Sequence, residues 1–70
     1  VSPRDEEILA FIASFIQEQG FPPTVREIGL GVGISSPSTV QAHLVILTEA
    51  GLIERTVNGS PRALRVLSRE

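Results

Sequence analysis

Three helices closed by a small β-hairpin are what this sequence predicts, and three observations carry the prediction. Helix-capping residues stand at Ser2, Thr24 and Ser36, with Pro3 and Pro37 at first helical positions. Behind each cap, apolar side chains recur at helical spacing. After Gly51 the pattern changes to two β-like runs, Leu52 to Val57 and Arg62 to Leu67, on either side of Asn58-Gly59-Ser60-Pro61. The class is therefore mainly α with a small β-hairpin, and the order helix, helix–turn–helix, hairpin is that of a winged helix-turn-helix.

The first helix opens at Ser2-Pro3-Arg4-Asp5, with acids in the first turn where the helix dipole favours them. Ile8, Leu9, Phe11, Ile12, Phe15 and Ile16 fall on one face, so this helix is the main core donor, and Gly20 stops it. Phe21-Pro22-Pro23 holds an extended connection, because neither proline can continue a helix. Thr24-Val25-Arg26-Glu27 is a capping box that opens a second, shorter helix, ended by Gly33. Within it Gly29 and Gly31 each cost about 1 kcal/mol relative to alanine, so neighbours must hold the helix. Gly29, beside Ile28, is suited to close helix–helix approach. The same glycines do not make a dinucleotide loop, which needs a preceding strand and a βαβ unit.

The third helix is predicted from Pro37 to Gly51, with its reading portion in 37–50. Val40, Leu44 and Leu47 face inward by the 3.6-residue period, and Ser38, Ala42, Val45 and Glu49 lie opposite. Ser36 is placed to cap, and Ser38, Thr39 and Gln41 put short hydrogen-bonding side chains near the helix start. Such a helix can enter a DNA major groove tip first. The Asn58-Gly59 pair supplies residues tolerant of positive φ for the hairpin turn. Residues 1–67 thus read as one winged helix-turn-helix domain and 68–70 as the start of a linker or disordered tail.

Composition narrows the chemistry. Seventy residues allow one domain with a small core. With no cysteine and a single histidine, His43, ordinary disulfide and zinc sites are excluded, and no metal or cofactor is expected. Ser36 and Ser38 lie near His43 in sequence, but a catalytic triad needs a nucleophile within reach of an oriented imidazole. His43 falls on the inward side of its helix near Val40 and Leu47, where it reads as a partly buried structural histidine; no catalytic residue is expected. The longest apolar run, Ile8 to Ala13, is far short of the roughly 20 residues of a membrane span, and no secretory signal pattern is present. The expectation is a soluble, intracellular domain with no membrane partner. It starts at Val1 rather than Met, as an excised piece of a longer protein would.

The net charge of −2 counts against nucleic-acid binding only as a single number. Residues 1–18 set Arg4 against Asp5, Glu6, Glu7 and Glu18, whereas 55–69 hold Arg55, Arg62, Arg65 and Arg69 with no acid. All the basic residues are arginine, whose forked guanidinium suits phosphates and narrow minor grooves, although GC-rich coding produces the same bias.

The segments Phe21-Pro22-Pro23-Thr24-Val25-Arg26-Glu27-Ile28, Val32-Gly33-Ile34-Ser35-Ser36-Pro37-Ser38-Thr39-Val40, His43-Leu44, Leu47, Gly51-Leu52-Ile53 and Pro61-Arg62-Ala63-Leu64-Arg65-Val66 carry a resemblance. In order and with matching gaps, they resemble the N-terminal DNA-binding domain of the LexA repressors of the bacterial DNA-damage (SOS) response. The resemblance implies that Ser36, Ser38, Thr39, Gln41 and Ala42 face base edges. The chemistry agrees in part: glutamine can make a two-point contact to adenine, hydroxyls serve several bases, and alanine or a threonine methyl can meet a thymine methyl. The residues alone are equally consistent with a capping serine and a solvated helix face.

Arg4 and Arg26 match positions that in the family lie near the DNA backbone, and Thr24 stands in an amide neighbourhood suited to phosphate. The alternative for these positions is ordinary solvation or pairing, Arg26 with Glu27 or Glu49 for example. Asn58, Gly59, Ser60 and Arg62 of the wing are placed to approach the minor groove, or else only to close a hairpin. The resemblance further implies a palindromic double-stranded operator, a homodimer formed through a C-terminal domain absent here, a bacterial cytoplasmic location and no enzyme activity in this segment. The family's self-cleaving serine–lysine dyad belongs to that other domain, and this chain has no lysine.

Two departures stand out. Leu30 and Val45 occupy outward positions that are usually charged or polar in the family, and Glu49-Ala50 replaces a commonly basic pair. They leave a second reading: a winged-helix protein–protein interaction module that uses Leu30, Val45 and Ile46 as an apolar contact surface.

Overall fold

The computed structural model describes residues 1–55 and 64–67. Helices α1 (Pro3–Gln19), α2 (Val25–Val32) and α3 (Pro37–Glu49) are followed by strands β1 (Ile53–Arg55) and β2 (Leu64–Val66). The strands pair antiparallel with Ile53 opposite Val66, Glu54 opposite Arg65 and Arg55 opposite Leu64. The third helix is thus slightly shorter than its periodicity predicts: it ends at Glu49, and the chain leaves through Gly51 in the left-handed region. The turn at Asn58-Gly59, the wing residues Ser60 and Arg62, and the tail 68–70 lie outside the described residues.

The core is one cluster. Ile8, Leu9 and Ile12 of α1 meet Ile28 of α2, Val40, Leu44 and Leu47 of α3, and Ile53 and Leu64 of the strands. Phe11 and Ile16 pack around its edge as half-buried residues. Phe11, Phe15 and Phe21 form a chain of ring contacts with successive centroids 5.8 Å apart, which ties the extended Phe21-Pro22-Pro23 connection back onto α1.

The predicted capping box forms in α2, and a second one forms in α1. In α1 the Ser2 side chain accepts from the Asp5 amide, and the Asp5 carboxylate accepts from the Ser2 amide. In α2 Thr24 and Glu27 do the same. Asp5 goes further than a cap, however, because it is the one buried polar residue among those described, and its Oδ1 lies 2.5 Å from His43 Nδ1 on α3. The half-buried histidine expected from the sequence is therefore an interhelical tie between α1 and α3.

At the turn between α2 and α3 the lack of a side chain on Gly29 admits α3, as expected, and admits the turn itself still more closely. A Cβ there would stand 2.6 Å from the carbonyl oxygen of Ile34, in the turn, and 3.5 Å from Val40 Cγ2. The Gly29 carbonyl accepts from both Gly33 and Ile34 amides, and Gly33 takes φ 79°, a conformation glycine adopts without steric cost. The chain thereby reverses tightly, and the axis turns by 98° between α2 and α3. Gly31 instead makes room for the Phe11 ring of α1.

Candidate nucleic-acid interface

A helix presents a reading face only if its back is fixed, and α3 is fixed on three sides. Val40, Leu44 and Leu47 are buried against α1, α2 and β1, and His43 is held by Asp5. On the opposite side Ser38, Thr39, Gln41 and Ala42 are exposed, as is Ser36 at the cap position. The structure thus puts all five predicted base-reading residues on the open surface around the start of α3. No acid occupies the first turn of α3, so the positive end of its dipole is not offset by a side chain of its own.

Ser36 differs from the expectation in one respect. It occupies the cap position with extended backbone, but its side chain makes no capping bond. The first turn is closed by its carbonyl instead, which accepts from the amides of Thr39 (3.1 Å) and Val40 (3.3 Å). Its hydroxyl, like those of Ser38 and Thr39, has no partner among the described residues. Three free hydroxyls at a helix tip are donors and acceptors available to a ligand.

Thr24 is a correction. Its amide is not free for a phosphate: it donates to Glu27 Oε1 at 2.9 Å, and its hydroxyl accepts from the Glu27 amide at 3.1 Å. The capping box thus gives that amide a carboxylate partner within the chain. Arg4 is exposed but engaged, with one guanidinium nitrogen 2.9 Å from Glu7 Oε1 and 3.0 Å from the Val32 carbonyl at the end of α2. Arg26 is exposed, as both a phosphate contact and an ordinarily solvated arginine would be. The wing positions Asn58, Gly59, Ser60 and Arg62 lie outside the described residues.

Two residues next to this face were not singled out in the sequence. Asp5 reads as an ordinary first-turn acid, and its partner His43 is 38 positions away. Its carboxyl is held down from the ordinary 3.8 to about 2, first by the hydrogen bond from the Ser2 amide and then by His43, which together outweigh burial. The second residue is Arg55, whose guanidinium donates to Gln41 Oε1 at 3.1 Å. A usable signal exists for Arg55: strand alternation puts it on the face of Ile53, which packs under α3. Arg65, on the other face, pairs with Glu54 at 2.7 Å.

Leu30, Val45 and Ile46 are exposed, as the second reading requires. Exposure names no partner, and nothing else among the described residues favours that reading. No helix among them is long and apolar enough by itself to cross a membrane.

A helix pair turned through 98°, a second helix anchored by its back with its tip bare, and a following antiparallel strand pair together define the winged helix-turn-helix class. Comparison with known proteins agrees in detail. Residues 1–63 match the LexA DNA binding domain, and the chain belongs to that family. It is 49% identical over its full length to a LexA repressor of Listeria welshimeri, of which it covers 34%. It is 50% identical over 68 residues, 97% of this chain, to a LexA repressor of Shouchella clausii, covering 32% of it. A LexA repressor of Carboxydothermus hydrogenoformans is 44% identical over 68 residues, with 33% of it covered. The chain spans about a third of the length of these relatives.

Proposed function

We propose that this domain reads operator DNA for a LexA-type repressor of DNA-damage genes, with α3 in the major groove. The observation that carries the reading is the two-sidedness of α3: Val40, Leu44 and Leu47 are buried while Ser36, Ser38, Thr39, Gln41 and Ala42 are exposed, in a chain of the LexA DNA-binding family. Gln41 supplies a two-point contact, the hydroxyls supply adaptable ones, and Ala42 with the Thr39 methyl supplies apolar contact. Arg26 and the wing residues Asn58, Gly59, Ser60 and Arg62 position the domain on phosphates or in the minor groove, with Arg4 in the same role once released from Glu7.

One domain with a net charge of −2 attracts phosphates weakly. Repression then depends on two copies engaging a palindrome, the second binding at high effective concentration because a C-terminal domain of the whole protein holds the pair together. Occupancy of a promoter is the mechanism, in the bacterial cytoplasm, and relief comes from cleavage in that other domain.

The test is selection from a random duplex pool by two tethered copies of this chain, across a salt series. Enrichment of a palindrome is expected. Gln41→Ala should cost about 1–3 kcal/mol at one base pair of each half-site, whereas Arg62→Ala should weaken all sequences alike. Absence of duplex binding by the tethered pair, together with loss of self-association on Val45→Lys, would replace this reading with the protein-interaction one.

A further inference from the structure

We propose that Arg55 is a positioning residue for base reading, which sets the chemical polarity that Gln41 presents to the groove. The inference rests on the DNA-reading role of α3 proposed above. Gln41 lies on the exposed face of α3, and Arg55 is the last residue of β1, past the edge of the core on the sheet face that carries Ile53. Their side chains meet at 3.1 Å, from the guanidinium to Gln41 Oε1.

A glutamine amide is a donor at one end and an acceptor at the other, and rotation about its last bond exchanges them. Free in solvent, it can offer either end to a base. Arginine has donors only, so it stabilises the orientation in which Oε1 turns toward the strand. The Nε2 group is then directed away from Arg55 with its hydrogens unclaimed by the guanidinium. Gln41 in this state is preset as a donor, suited to the N7 or O6 acceptors of a purine, with the second lone pair of Oε1 left for an adenine N6–H.

Both side chains are exposed, so in the free chain the contact exchanges with water. Once a groove excludes that water the bond strengthens and holds the amide in this orientation. Arg55 therefore acts on sequence preference through Gln41. The cross-strand neighbour of Arg55 is Leu64, and the nearby Glu54 is already occupied by Arg65 and so does not compete for it.

The experiment is the same duplex selection with tethered copies of the chain, comparing Gln41→Ala, Gln41→Glu, Arg55→Ala, Arg55→Lys and the double alanine variant. Gln41→Ala locates the base pair. Arg55→Ala is expected to lower the preference at that pair by about threefold or more while leaving the others unchanged, and Arg55→Lys to restore part of it. The two alanine substitutions together should cost no more at that pair than Gln41→Ala alone. Gln41→Glu keeps the partner of Arg55 but removes the donor, so preference should move to a base edge that donates, cytosine N4 or adenine N6. If Arg55→Ala weakens every sequence equally and lowers the salt slope by about one, Arg55 is a phosphate contact and the inference is overturned, with the reading role of Gln41 intact. If Gln41→Ala leaves all preferences unchanged, Gln41 is not a reading residue and the inference falls with it.

Discussion

Asp5→Ala is expected to lower the unfolding free energy by about 2–4 kcal/mol, as measured by urea denaturation near neutral pH. Two losses add. The Ser2–Asp5 capping box of α1 disappears, leaving the Ser2 amide without its carboxylate partner at 2.9 Å. The His43 ring, only 20% exposed, loses the acceptor that meets its Nδ1 across the α1–α3 interface. Asp5→Asn keeps the shape and can still accept from Ser2, while its amide can donate to a neutral His43 ring, so its cost should be smaller. An alanine variant as stable as the parent would show that the tie contributes nothing.

The same carboxylate makes stability depend on acid in a defined window. Its folded-state pKa is lowered to about 2 from an unfolded value near 3.8. Between these values the unfolded chain binds a proton that the folded chain does not, so stability falls as pH drops. The contribution of Asp5 is fully present above about pH 4 and is lost as pH falls through about 2. Denaturation curves between pH 4 and 2 should show a steeper decline for the parent than for Asp5→Asn.

Gly29→Ala is the second large effect, and its sign opposes helix propensity. At an exposed helical site the change would gain about 1 kcal/mol. Here the new Cβ would lie 2.6 Å from the backbone oxygen of Ile34, which no rotamer change can move. Either the turn opens, breaking the bonds from Gly33 and Ile34 to the Gly29 carbonyl, or α2 shifts away from α3. A net loss of about 2 kcal/mol is expected in thermal or urea melts. DNA affinity should fall further than stability predicts, since the 98° relation of α2 to α3 is set at this turn. Gly31→Ala is the internal comparison. Its Cβ meets only the half-buried ring of Phe11, which can swing aside, so the loss there should be smaller.

Much of this architecture can be read from local pattern. Caps, prolines at first helical positions and the spacing of Ile8, Ile12, Val40, Leu44 and Leu47 locate three helices and their buried faces, because cap geometry and helical period are properties of a few adjacent residues. The same period identifies the bare face of α3, whereas the choice of Ser36, Ser38, Thr39, Gln41 and Ala42 as base-reading positions comes from the family resemblance. Where the reading went astray, the deciding partner was distant or an alternative acceptor was close at hand. Ser36 left its hydroxyl free because its carbonyl already closed the turn, and Thr24 spent its amide on Glu27.

What the amino-acid order determined by itself was the set of helices, their inward faces and the membership of α3 in a helix–turn–helix. What only the tertiary structure decided was which polar groups meet across elements: Asp5 with His43, Arg55 with Gln41, Arg4 with the end of α2. The reason is geometric. Period and capping act over a few positions and leave a trace in spacing, whereas contacts across 14 to 38 residues depend on the angle at which helices cross. In this chain the turn between α2 and α3 brings Gly29 so close to the Ile34 carbonyl oxygen that a side chain there would not fit.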